Sequence, residues 1–217
     1  MSTQADFIGW IGQIINDEEG KLTEETLVNC LSQAISEHST RKPRMITEDV
    51  TADGTAFLPL PPSWDSEFSY IVRLEKLDSN NEPELMNYNH YRLISRPEPD
   101  GQILYFSTNE PLDGTTCRYE FATSHVIDVS SSSIAAQYEH ILSILAASHA
   151  CLRLATAYAQ SIDQNIGTEV INFKQKNRDY EDLSSSLREQ YDAEIPYGLN
   201  AIRQRSMPRA SVRLFHS

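Results

Sequence analysis

The sequence predicts an α+β protein, mainly α: a helical bundle with a small inserted antiparallel β region and an extended C-terminal arm. Three observations predict it. Apolar residues recur at helical spacing in 1–43, switch to a two-residue period in 44–129, and return to helical spacing in 130–194. The stretch 134–163 is long, apolar and carries eight alanines, which suits close helix packing on more than one side. Charge is split at Ile195. All 31 acidic residues lie in 1–194 with 14 of the 18 Lys and Arg, whereas 195–217 carries the other four, Arg203, Arg205, Arg209 and Arg213, and no acid.

The helical segments are justified one by one. Phe7, Ile8, Ile11, Ile14 and Ile15 form an apolar stripe over 4–16, weakened by Gly9 and Gly12. Thr23 is a good N-cap, Glu24 and Glu25 occupy the positive first turn, and Leu22 and Leu27 have staple spacing. That second helix is expected to stop near Ser39, because Pro43 forbids its continuation. The four serines 130–133 are read as the N-terminus of the long Ala-rich helix. Asn165-Ile166-Gly167 ends it and Thr168 caps the next. Val170, Phe173, Asn177, Tyr180, Ser184, Leu187 and Tyr191 then make a heptad stripe suited to one side of a helical hairpin, and Pro196 and Gly198 terminate it.

The middle segment reads as strands with one buried face. Phe68, Tyr70, Val72 and Leu74 alternate with Ser69, Arg73 and Glu75; Ile103 and Tyr105 alternate with Leu104 and Phe106; Cys117, Tyr119 and Phe121 alternate with Arg118 and Glu120. Turn formers lie between them, at Asp53-Gly54, Ser79-Asn80-Asn81, Pro99-Asp100-Gly101 and Asp113-Gly114. Pro59, Pro61 and Pro62 interrupt the ladder, so the first hairpin is expected to lead into an irregular crossing.

Composition narrows the function. The formal charge of −13 opposes tight binding to a phosphate backbone. Cys30, Cys117 and Cys151 form no CxxC pair, which predicts buried thiols and a reducing compartment. The first ten residues lack a charged n-region and a long apolar run, so no signal peptide is expected; no apolar run approaches bilayer length, and synthesis in the cytoplasm follows. No phosphate-binding loop, dinucleotide fingerprint, HExxH or GxSxG occurs. Among His38, His90, His125, His140, His149 and His216 the one near-ligand spacing is His149-x-Cys151, whose side chains point about 200° apart on a helix. No metal or cofactor is expected, a buried or interfacial histidine being the ordinary reading. The carboxylate runs Asp17-Glu18-Glu19 and Glu24-Glu25 sit at helix ends, where solvation and helix dipoles account for them. No nucleophile, base and acid converge, so the chain is read as a non-enzyme.

The arm allows three readings: a functionless terminus, a nucleic-acid contact, or a protein-docking element. Its composition favours the last. Arginines interleaved with apolar residues suit an interface, with Ile202, Arg203, Arg205, Arg209, Arg213, Leu214 and Phe215 as the contact set. The missing acids leave it free for an acidic partner or a neighbouring acidic subunit.

The whole pattern resembles the head–tail adaptor (connector) proteins of long-tailed bacteriophages. The resemblance rests on Leu22-Thr23-Glu24-Glu25, then Thr40-Arg41-Lys42-Pro43-Arg44 leading into Asp49-Val50-Thr51-Ala52-Asp53-Gly54 and Phe57-Leu58-Pro59-Leu60-Pro61. It continues in the Ala-rich 135–158, in Val170-Ile171-Asn172-Phe173-Lys174, in Arg178-Asp179-Tyr180 and in Leu187 to Tyr191. It implies a virion protein that forms a ring, commonly of twelve subunits, beneath the portal of a filled head. The ring would extend the DNA channel without sequence-specific binding and meet a downstream head-completion or tail protein, and the arm would dock on the portal. The competing expectation is a non-virion assembly factor or tail-terminator-like binding module.

Overall fold

The computed structural model describes residues 2–17, 19–77, 82–95, 101–108, 111–162 and 168–196, with side chains for all but 161–162 and 168–173. The order of elements is α1 (Gln4–Ile15), α2 (Glu24–Arg41), β1 (Arg44–Thr51), β2 (Phe57–Leu58), β3 (Tyr70–Leu77), β4 (Pro83–Leu85), β5 (Tyr91–Ser95), β6 (Gln102–Phe106), β7 (Thr116–Thr123), α3 (Ala136–Ile162) and α4 (Thr168–Glu194). Among the described residues the protein is an α+β mixture of four helices and two small antiparallel sheets. It divides into two units, one taking the chain up to Lys42 and again from His125, the other taking Pro43–Ser124.

In the helical unit each start has a chemical cause. Thr3 and Asp6 form a reciprocal capping box on α1, and Asn16 ends that helix in the left-handed region at φ 51°. Thr23 caps α2 by accepting the Thr26 N–H at 3.2 Å. Helix α2 runs two residues past the expected stop, to Arg41, with Pro43 beyond its cap. Phe7, Ile11, Leu31, Ala34, Leu142, Leu145, Leu154 and Tyr191 belong to one buried apolar core. Helix α3 supplies more of it than any other helix. Ala136–Gln160 is long and apolar enough, by length and composition, to cross a membrane, so the expectation that no run approaches that length is too strong; 72% of the window is buried in this fold.

The stripe on α4 appears at Tyr180, Ser184, Leu187 and Tyr191, which are buried or half-buried; Val170 and Phe173 lie outside the described side chains. Ser184 Oγ donates to the Ser148 carbonyl of α3 at 2.8 Å, so the serine in the stripe is a close-approach point between two backbones. The ring of Tyr158 stacks on that of Tyr180 at 5.6 Å. Ile195, placed by sequence at the head of the arm, is 2% exposed and belongs to the helical core.

The serines 130–133 do not start α3. Asp128 Oδ1 accepts the N–H groups of Ser130 and Ser131, both at 2.7 Å, and an isolated bridge joins Ile127 to Ser132. A local carboxylate turn thus competes successfully with helix nucleation, and the helix begins at Ala136. The Asn165-Ile166-Gly167 stop lies outside the described residues.

The β unit holds two sheets where one was expected, in the orders β1-β7-β3-β4 and β2-β6-β5, all pairs antiparallel. The Asp53-Gly54 turn joins no hairpin, because β1 pairs with β7 and β2 with β6. Gly54 is required there: its φ is +73°, and a Cβ would stand 3.0 Å from that of Asp113. The expected alternation through Val72 fails as well. A register shift between Ile71 and Arg73 inserts an extra residue, so Ile71 and Leu74 pack on the core while Val72 is 50% exposed. Cys117, Tyr119 and Phe121 are fully buried as expected, and in β6 the buried pair is Leu104 and Phe106. All three cysteines are buried and unbridged.

Candidate functional site

The contact set of the arm, Ile202, Arg203, Arg205, Arg209, Arg213, Leu214 and Phe215, lies outside the described residues. The end of α4, just before that arm, is described, and there the protein holds a dense polar cluster. Helical periodicity explains the gathering. His38 and Arg41 share one face of the last turns of α2, Leu187, Arg188, Tyr191 and Asp192 share one face of the last turns of α4, and Ile195 follows directly after that helix.

Arg41 is the centre. Its side chain is 1% exposed. Nη2 donates to Glu37 Oε1 at 2.9 Å, and Nη1 donates to Asp192 Oδ1 and, at 3.0 Å, to the Ile195 carbonyl. The guanidinium lies 4.7 Å from the Tyr191 ring centroid. Glu37 also accepts from Arg188, and His149 Nε2 approaches its other oxygen at 3.6 Å. A buried cation is therefore compensated by two carboxylates, one carbonyl and one aromatic face.

His38 completes the cluster at 1% exposure. Its Nδ1 shares a 3.0 Å hydrogen bond with Tyr191 Oη, while Nε2 faces no hydrogen-bonding protein group among the described residues. Burial pushes its pKa down to about 4, and the neighbouring His125, Lys42 and Arg41 add to the effect. Burial also lowers His149 and raises the Tyr191 phenol. Lys42 Nζ donates to Tyr138 Oη, which lowers that phenol.

His125 ties the chain's return to this cluster. Its N–H donates to Ser39 Oγ at 2.9 Å, its Nε2 lies 3.0 Å from the Lys42 carbonyl, and its Nδ1 lies 3.1 Å from Ser133 Oγ. The cluster's chemistry is cohesion: it fixes the last turn of α2, the last turn of α4 and the re-entry at His125 to one another.

Of the histidines expected from sequence to be buried or interfacial, His38 is buried while His125 and His149 are half-buried; the cluster itself was not foreseen. Its signal was faint: Glu37 and Arg41 are an i,i+4 pair at a helix C-terminus, where a cation is favoured. The other partners, Asp192 and Ile195, stand about 150 positions away in sequence. The carboxylates read as solvated helix ends are tied into local contacts at Asp17 and Glu19. Asp17 accepts the Leu22 N–H at 2.7 Å, and Glu19 pairs with Lys21 at 3.3 Å and with Lys176. No group of three or more potential metal ligands occurs among the described residues. A shallow hollow lined by Trp10, Ala136, Glu139 and His140 is open to solvent.

No family model matches the chain, and no curated protein matches it. Among solved structures, a chain in the neck of an empty gene transfer agent particle is similar over 68% of this chain and 78% of its own length, at 15% identity and a TM-score of 0.32. A chain in the virion of the native gene transfer agent particle is similar over 70% and 82%, at 16% identity and a TM-score of 0.30. Both likenesses are loose.

Proposed function

We propose that this chain is a structural head–tail connector subunit of a phage-type particle, forming a ring beneath the portal that extends the DNA channel and receives the next head-completion or tail protein. The observation that supports this reading best is the order of the fold. A helix pair gives way after Lys42 to an antiparallel unit, and the chain returns at His125 to a second helix pair on the same core. A helical bundle with an inserted β region is the architecture that the adaptor resemblance implies.

The charge distribution fits the role. A body with 31 acids and 14 Lys and Arg in 1–194 gives a ring whose lumen repels DNA, so that the duplex slides without adhering. The acid-free segment 197–217, bearing four arginines, leaves the rigidly held end of α4 as a docking element. The ring, of twelve subunits by the resemblance, acts by assembly, with no cofactor and no catalytic step, in the virion and in the host cytoplasm beforehand.

Electron microscopy of the purified chain mixed with its portal is the test. A ring stacked on the portal is expected. If no ring forms on or off the portal, and the protein is missing from purified virions, the connector reading fails in favour of a non-virion assembly factor.

A further inference from the structure

We propose that the outer edge of β1 is the docking site for the arm of a second copy of this chain, residues 209–216 adding to it as a further strand. The inference rests on the ring reading above and names the partner of that arm.

The described strands present four sheet edges, and three are blunted. β2 is two residues long and followed by Pro59 and Pro61; β4 is three residues long and starts at Pro83; β5 has five residues, three fewer than β1. β1 differs. It has eight residues, no proline, no glycine and an unbroken register with β7 from Arg44 to Thr51. β7 takes one side of it, and on the other side alternate N–H and C=O groups point away from the sheet. Edges of that length and regularity are templates for another strand, and soluble proteins ordinarily break them with proline, bulges or lysine. This one is left regular, which is what strand addition requires.

The arm supplies a matching occupant. After Pro208 the sequence Arg209-Ala210-Ser211-Val212-Arg213-Leu214-Phe215-His216 is eight residues long, as β1 is, and holds no proline or glycine. Val212 and Leu214 alternate with Arg213 and Phe215, a two-residue period among residues that favour strands. The 12 residues between Pro196 and Arg209 can extend up to roughly 40 Å, in keeping with a contact on an adjoining subunit. Charge gives direction. Residues 43–124 carry 14 acids against six Lys and Arg, and the arm carries four arginines and no acid. Main-chain pairing supplies the grip, and Val212 and Leu214 would share a face with alternate β1 side chains.

Hydrogen exchange over 44–51 tests the proposal on the full-length chain in its assembled state. The β1 amides that point away from β7, every second one in the strand, are expected to be protected in the wild type and to lose that protection in V212P and in a chain ending at Ala201, while the β1 amides bonded to β7, and those of β7 and α3, stay protected in all three. A peptide of residues 209–216 added to the shortened chain is expected to restore it, and a scrambled peptide is not. Equal β1 exchange in wild type and V212P would overturn the inference. So would protection that survives dilution to monomer, which would put the arm on its own β1. Microscopy of V212P with portal separates the two proposals: portal-bound rings with unaltered β1 exchange sink the arm's docking site and leave the connector reading standing.

Discussion

Acidification should weaken the helical unit through one buried imidazole. His38 is 1% exposed, and its pKa stands at about 4 against an ordinary 6.5, chiefly through burial. The folded state therefore binds fewer protons than the unfolded state below pH 6.5, so stability must fall as pH drops. The contribution is intact above pH 6.5, declines through the window down to pH 4, and changes no further below it. At 1.36 kcal/mol per unit, the shift amounts to about 3 kcal/mol. Urea unfolding at a series of pH values, followed by circular dichroism, compares wild type with H38Q. The variant should be less stable above pH 6.5, by about 1 kcal/mol for the altered bond to Tyr191. It should lack the wild type's extra loss, so that the two curves converge and cross on acidification. His149, also lowered by burial, and the titrating carboxylates are common to both proteins and cancel in the difference. Parallel curves across this window would refute the assignment of the acid sensitivity to His38.

Four substitutions probe the rest of the molecule by denaturant unfolding. R41A strips Glu37, Asp192 and the Ile195 carbonyl of their shared donor and should cost about 3 kcal/mol, with increased exchange at the end of α4. G54A forces a side chain into a left-handed conformation against Asp113 and should cost about 1–2 kcal/mol. F121A empties the centre of the β unit and should cost about 3–5 kcal/mol. D49N breaks the bidentate pair with Arg118 at 2.8 and 2.9 Å, yet both groups are well exposed, so less than about 1 kcal/mol is expected.

Local signals in the sequence were read correctly where the cause was local. Thr23 and its neighbours announced α2 because capping is settled within four residues. Cys117, Tyr119 and Phe121 announced β7 because a central strand buried on one face alternates over 116–121. Failures occurred where the cause lay elsewhere in the chain. A bulge between Ile71 and Arg73 is set against β7, and no two-residue period in 68–75 can reveal it. Two sheets replace one because partners are chosen across dozens of residues, so Asp53-Gly54 resembles a hairpin turn while turning between sheets. Ser130–133 misled because Asp128 outcompetes the helix for their N–H groups. Arg41 sat beyond the expected stop of α2, and the partners that bury its charge come from the far end of the chain. The arm's contact set stays a matter of composition.

The His125 bonds to Ser39 and to the Lys42 carbonyl have an evolutionary corollary. They pin the exit from the helical unit and the return to it side by side, although 83 positions separate Lys42 from His125. A segment whose two ends are held together by its host behaves as a cassette. It can lengthen, shorten or be exchanged, while the host pays only a slowly growing closure entropy. Selection acting on what the β unit meets is thereby uncoupled from selection on the helices that frame it. Residues 43–124 are then free to diverge fastest, provided that Ser39, Lys42 and His125 keep the two chain crossings joined.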